Sequence, residues 1–224
     1  MTSPNSLHQD VPAFETLFVF GAGGSGREVA WLVEQTWGDR VRVRFLVDDP
    51  RYLSSRVNGC EVTLLSDVTF DPAARFVVAL GDSAARRRVA EAIRALGGRA
   101  TAIVHPRVEM SRWVEIGEGS IVCAGTVVTT NIRIGCHVHV NVGCTLSHDV
   151  VIGDFATISP GVHVAGHVRI GQDVFVGTGA TVINGSAGAP LVIGDGAIVA
   201  AGACVITPVE AGAFVAGVPA VRKR

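Results

Sequence analysis

The segment Ile134-Gly-Cys-His-Val-His-Val140-Asn-Val-Gly-Cys-Thr-Leu146-Ser-His-Asp-Val-Val-Ile152-Gly-Asp-Phe-Ala-Thr-Ile158 places a bulky aliphatic residue at every sixth position. The series reaches back through Val128, Val122, Ile116 and Met110 to Val104 and forward through Val164, Ile170 and Val176 to Val182, fourteen in succession. A period of six fits neither the 3.6 of an α-helix nor the simple alternation of a sheet strand. Each hexad therefore reads as one short strand plus a corner, and three hexads as one triangular coil of a parallel β-helix. Glycine follows the aliphatic at Gly117, Gly135, Gly153 and Gly171, eighteen residues apart, which suggests a recurring corner that needs backbone freedom. The register slips by five residues before Ile193-Gly194. The extra residues fall in 184–190 (Asn-Gly-Ser-Ala-Gly-Ala-Pro), a loop expected to bulge from a corner without disturbing the stack. A Val-rich β-sandwich would not hold a six-residue phase over so long a run.

Upstream of the repeat the pattern changes. Leu17-Phe-Val-Phe20 is a buried-strand run that passes at once into Gly21-Ala-Gly-Gly-Ser-Gly26 and a helical stretch from Arg27 to about Gln35. Strand, GxGxxG and helix in that order form a phosphate-binding fingerprint, in which glycines let the backbone approach a phosphate and the helix N-terminus offers unpaired N–H groups. A second strand over 41–47 ends in Asp48-Asp49, about where an acidic residue meets a ribose or base. A third strand over 76–80 ends in Gly81-Asp82 and opens a helix carrying Arg86, Arg87 and Arg88; Arg86, nearest the strand end, is the one expected to face a ligand. A last strand over 100–104 leads through His105-Pro106 into the first coil. The organisation expected is a disordered tail over 1–15, a small Rossmann-like α/β domain over 16–103 and an all-β domain over 104–224. Fewer than a hundred residues precede the β-helix, so one mononucleotide-binding half fits. A nucleotide or nucleotide-sugar, an NAD-type cofactor and a ligand-free tight turn all remain open on the loop alone.

The 224 residues carry a formal net charge of -1, which argues against a nucleic-acid partner. No apolar run reaches the roughly 20 residues a membrane helix needs, and the first thirteen residues lack a signal-peptide core. A cytoplasmic location without membrane insertion is expected. Five cysteines, an odd number with no CxxC pair, read as reduced small hydrophobes and not as disulfides or a zinc knuckle.

Among the β-helix histidines, His148 is followed directly by Asp149 and lies two residues past a core position, near a corner. An imidazole can act as general base near neutral pH, and a neighbouring carboxylate can fix its tautomer and steady the imidazolium. His137, His139, His163 and His167 read as structural. His139 and Thr157 are eighteen apart, as are Asp149 and His167, so each pair stacks on successive coils and both could line one external groove.

Residues 17–26 with Arg27, the Asp48-Asp49 strand end, Gly81-Asp82 with Arg86, the His105-Pro106 entry and the run Ser147-His-Asp-Val-Val-Ile-Gly-Asp-Phe155 together resemble the NeuD/PglD-type sugar acyltransferases. The resemblance reaches from about Thr16 to the Gly217-Val-Pro-Ala220 tail. It implies a Rossmann-like domain holding a nucleotide-activated sugar, a left-handed β-helix binding acetyl-CoA, and a homotrimer with active sites between neighbouring β-helices. On that resemblance His148 is the base and Asp149 its partner. Gly23, Gly24, Ser25, Gly26 and Arg27 cradle the diphosphate, Asp48 and Asp49 contact the nucleoside, and Gly81 and Arg86 lie nearby. Asn141, Gly143 and Gly166 fall on the acetyl-CoA side, with N–H groups for the thioester oxygen, and Thr157 stands where some members carry a second, cofactor-associated histidine. The implied reaction is transfer of acetyl to an amino group, at C4 of a UDP- or GDP-linked deoxy-amino sugar, with no metal. O-acetylation of a sialic acid is the nearest alternative. A zinc hydratase using His139, His163 and His167, and a nonenzymatic nucleotide-sugar sensor, are the more distant ones.

Overall fold

The computed structural model describes residues 12–53 and 56–223. It divides into two compact units, 1–106 and 107–224. Most of the tail expected over 1–15 lies outside the described residues. Within 12–15, however, Phe14 is buried and packs edge-on against Trp37 at 5.2 Å, so this end of the predicted tail belongs to the folded unit.

The first unit is a five-stranded sheet. Strand β1 (Thr16–Phe20) pairs in parallel with β2 (Arg42–Val47), and β2 pairs in parallel with β4 (Cys60–Leu64). On its other side β1 pairs in parallel with β5 (Ala74–Val78), while the short β3 (Arg56–Val57) closes the edge antiparallel to β4. The spatial order is β3-β4-β2-β1-β5. Sequence reading missed β3 and β4 because Cys60–Leu64 mixes Glu and Thr with its apolar residues and only Val62 is buried. Helix α1 spans Gly24–Trp37, and α2 spans Ser83–Ala95 with Asp82 capping it through the Ala85 amide at 2.6 Å. The strand expected over 100–104 shrinks to β6 (Ile103–Val104); Ala100 forms only a bridge to Phe76.

The second unit is the predicted parallel β-helix. Every sixth-position aliphatic from Met110 to Val182 falls on a coil strand, and Val128, Val140, Leu146, Ile158 and Val176 are wholly buried in the stack. Burial of side chains of this size contributes roughly 1.5–3 kcal/mol each. After the insertion the register resumes, with Leu191–Ile193 paired to Val168–Ile170 and Thr181 to Cys204, so the loop over 184–190 leaves the stack intact.

The glycine column has a different cause from the one expected. The left-handed corner conformation is taken by other residues, among them Asn131, Asp149 and His167 in one column and Gly125, Gly143, Gly161 and Gly179 in another. Gly117 and Gly153 are required instead because the next coil passes against them. A Cβ on Gly153 would stand 2.5 Å from the Gln172 backbone nitrogen.

Candidate active site

Two sites emerge, one in each unit. In the first, the carboxyl ends of three parallel strands meet where the strand order reverses around β1, the place where open α/β sheets collect ligands. A cavity of about 400 Å3 lies there, lined by Phe20, Gly21, Ala22, Gly23, Val47, Asp48, Tyr52, Val57 and Leu80. Gly23 precedes α1, so the unpaired amides of Gly24, Ser25 and Gly26 stand at the helix N-terminus. Gly26 is fixed by close approach: a Cβ there would lie 1.8 Å from the Gly21 carbonyl oxygen. Gly26→Ala is expected to displace the loop, lowering the melting temperature by about 4–8 °C and weakening nucleotide binding about tenfold, as read by thermal unfolding and calorimetric titration.

Several of the predicted nucleotide contacts need correction. Asp48 lines the cavity, but Asp49 caps the turn at Pro50–Tyr52. It accepts from the Arg51 amide at 2.9 Å and pairs with the Arg51 guanidinium at 2.5 Å, which holds its carboxyl below the usual carboxylate range. Arg27 is exposed and lines a separate depression with Trp31, Glu34 and Arg42. Gly81 is exposed and its carbonyl lies 3.4 Å from Arg86 Nη1. Arg86 itself is wholly buried and donates to the Leu80 carbonyl at 2.6 Å, so it braces the turn from β5 into α2 and does not present its charge to a ligand. Its place in the first turn of an amphipathic helix, on the face that Ala90 and Ile93 bury, explains why.

The second site sits at one corner of the β-helix, between the strands Thr145–Leu146 and Val151–Ile152. His148 Nδ1 lies 2.8 Å from Asp149 Oδ2. That hydrogen bond, reinforced by the charges of nearby His167 and His148 and by a bond from Asn131, lowers the Asp149 pKa below the ordinary carboxylate value of 3.8. A group with a depressed folded-state pKa keeps its contribution above the unfolded value and loses it only as pH falls through the folded one, so Asp149 is ionised at neutral pH. An ionised carboxylate can only accept, so the proton of this bond belongs to His148 Nδ1. The neutral ring then presents Nε2 as its basic nitrogen.

Gly166 sits beneath that ring. A Cβ on Gly166 would stand 2.5 Å from His148 Cε1 and 2.6 Å from Nε2. Its N–H meets no acceptor among the described residues, while its carbonyl accepts from Gly185 at the start of the insertion loop at 3.0 Å. His167, which the sequence suggested was structural, belongs to this corner too. Its Nε2 is 3.8 Å from Asp149 Oδ2 and its ring meets that of His148 edge-on at 5.0 Å. The eighteen-residue spacing to Asp149 was the available signal. The ligating atoms of His148, Asp149 and His167 lie within 4.8 Å of one another, a spacing that could also hold a cation.

The other predicted cofactor contacts do not gather here. Asn141 and Gly143 occupy the preceding corner, and their amides are already donated, to the Ile158 carbonyl at 2.9 Å and the Ala124 carbonyl at 3.0 Å. Of the three amides assigned to the thioester oxygen, only that of Gly166 meets no acceptor among the described residues. Thr157 is buried on a strand paired with His139 and Phe175. Neither sheet flanking the His148 corner carries that strand, so the pairs His139–Thr157 and Asp149–His167 do not line one groove. His163 bonds Thr145 on the neighbouring strand of its own sheet at 2.8 Å, and His139, His163 and His167 form no ligand cluster among the described residues.

Comparison with known proteins agrees with both halves. Residues 16–93 match the PglD N-terminal domain family, and residues 149–184 match the bacterial transferase hexapeptide family. The chain is 35% identical over 137 residues to GDP-perosamine N-acetyltransferase of Escherichia coli O157:H7; the match covers 58% of this chain and spans 61% of the length of that relative. The acetyltransferase domain of PglB from Neisseria gonorrhoeae FA1090, solved with acetyl coenzyme A, superposes with a TM-score of 0.84 at 33% identity, covering 94% of this chain and 100% of that one. PerB from Caulobacter crescentus, solved with CoA and GDP-perosamine, superposes with a TM-score of 0.82 at 27% identity, covering 93% and 97%. With its α/β unit, its hexapeptide β-helix and its His148-Asp149 corner, the chain belongs to the NeuD/PglD-type sugar acyltransferases.

Proposed function

We propose that the protein is an acetyl-CoA-dependent N-acetyltransferase acting on the amino group of a nucleotide-linked deoxy-amino sugar. The observation that carries this reading is the corner itself: a histidine tautomer fixed by an ionised aspartate, with the ring packed against Gly166. The sugar amine attacks the thioester carbonyl carbon and forms the new C–N bond. His148 Nε2 takes the proton that the nitrogen loses, and Asp149 stabilises the resulting imidazolium. The role assigned to the Gly166 amide is to donate to the carbonyl oxygen as it gains negative charge. The C–S bond then breaks, CoA leaves as thiolate, and the imidazolium returns a proton to it. The cavity at Gly23 and Asp48 holds the nucleotide, with the diphosphate at the start of α1.

No step calls for a metal, nor for an acyl-enzyme: no serine or cysteine is bonded to His148 among the described residues. The outward ladder Phe175, Ile198 and Phe214 leaves three large apolar side chains exposed in register, which supports a homotrimer in which copies cover one another's coils. An odd number of cysteines with no CxxC pair fits the reducing cytoplasm, and among the described residues no helix is long and apolar enough to cross a membrane.

Thiol release from acetyl-CoA tests the reading against GDP-perosamine, UDP-linked 4-amino sugars, free sialic acid and UDP-GlcNAc. Turnover is expected on a nucleotide-linked amine and absent on UDP-GlcNAc, whose nitrogen is already acylated. Turnover confined to sialic acid would replace the amine by a hydroxyl acceptor, and none on any acceptor would refute the donor.

A further inference from the structure

We infer that His167 is a positioning residue for the reaction, holding the Asp149 carboxylate in the orientation that fixes the His148 tautomer. The inference deepens the proposed function and rests on it. Asp149 occupies a left-handed corner position at φ 59°, directly in column with Asn131 at φ 54° and His167 at φ 56°. Its carboxylate projects from a tight turn and is 39% exposed, so nothing in the local backbone alone selects one rotamer. Two neighbours in that column do: Asn131 reaches it from the coil before and His167 from the coil after.

His167 is well placed for this. Its own amide donates to the His148 carbonyl at 3.1 Å, tying the two corner residues together through the backbone, and its side chain is 28% exposed, half as much as that of His148 at 54%. Its Nε2 faces the same Oδ2 that accepts from His148. At 3.8 Å it lies beyond a direct hydrogen bond, and it acts on the carboxylate as a nearby polar group. The two rings also meet edge-on at 5.0 Å. The role inferred for His167 is therefore exerted through the carboxylate and the ring.

The test compares His167→Gly, which removes the side chain and tolerates the left-handed corner, with His167→Gln, which keeps a donor of similar reach. Each is made in the wild type and in an Asp149→Asn background, and thermal unfolding verifies that each is folded. His167→Gly is expected to lower kcat about tenfold with both KM values unchanged. His167→Gln should recover most of that loss, and in the Asp149→Asn background the glycine substitution should cost nothing further. Nitrogen NMR of the labelled His148 ring in the unliganded protein gives a readout independent of any acceptor. The wild type should show one tautomer, protonated at Nδ1, and His167→Gly a mixture. An unchanged tautomer, or an equal kcat loss in both backgrounds, overturns the inference. Absence of wild-type turnover on every acceptor would overturn the proposed function alone, leaving the NMR arm decisive for His167.

Discussion

Replacing His148 with alanine is expected to lower kcat about a thousandfold, within the range of 10²–10⁴ that a positioned general base contributes. The loss should fall on kcat and not on the KM for acetyl-CoA, because the ring is proposed to act on the acceptor's proton and on none of the donor's binding groups. The fold should survive. The ring is 54% exposed, it packs on a glycine and on the edge of His167, and removing it opens no cavity in the core. A melting temperature within about 2 °C of the wild type is expected. Stopped thiol-release assays with saturating acetyl-CoA and a nucleotide-linked 4-amino sugar check the rate, and added imidazole should restore part of it through the space the exposed side chain leaves. A tenfold loss or less would mean that the amine sheds its proton to water and that the His148-Asp149 pair serves only to bind.

Much of this was legible in the sequence, for identifiable reasons. A hexapeptide period is a long-range signal summed over fourteen residues, so single exceptions such as Met110 do not obscure it. The strand, glycine-rich turn and helix that open the first unit were legible because they all lie within about twenty residues. His148 was legible because its partner is its sequence neighbour. What was lost depends on direction and not on spacing. That Arg86 points inward and Asp49 caps its own turn follows from side-chain rotamers and a local hydrogen bond, neither of which has a sequence period. The amides of Asn141 and Gly143 looked available because nothing in the sequence reveals which N–H groups the coil-to-coil ladder consumes. His167 was underestimated for the opposite reason: its eighteen-residue offset to Asp149 was noticed, but an offset places two residues in one column without saying that they face each other. The glycine column is the most instructive case, since its spacing was read correctly and its cause was not.

That cause separates two glycines that look alike, and it yields a second large effect. At both Gly166 and Gly153 a methyl group would approach another atom to 2.5 Å, and neither residue takes the left-handed conformation, so alanine is acceptable to the backbone at each. The atoms met differ. At Gly153 the obstacle is the backbone nitrogen of Gln172, held in the next coil of a stack that cannot open locally without breaking its ladder. At Gly166 the obstacle is the imidazole of His148, the far end of a half-exposed side chain that can swing away. Gly153→Ala is therefore expected to lower the melting temperature and leave the chemistry of surviving molecules intact. Gly166→Ala should do the reverse: the ring leaves its place and the 2.8 Å bond to Asp149 breaks. Displacing a catalytic group by about 1 Å costs on the order of a hundredfold, so kcat should fall about that far with the melting temperature little changed. Because both substitutions act on one imidazole, Gly166→Ala combined with His148→Ala should be no slower than His148→Ala alone. A double variant slower than that would mean that the added methyl group disturbs the site by a route other than displacement of the His148 ring.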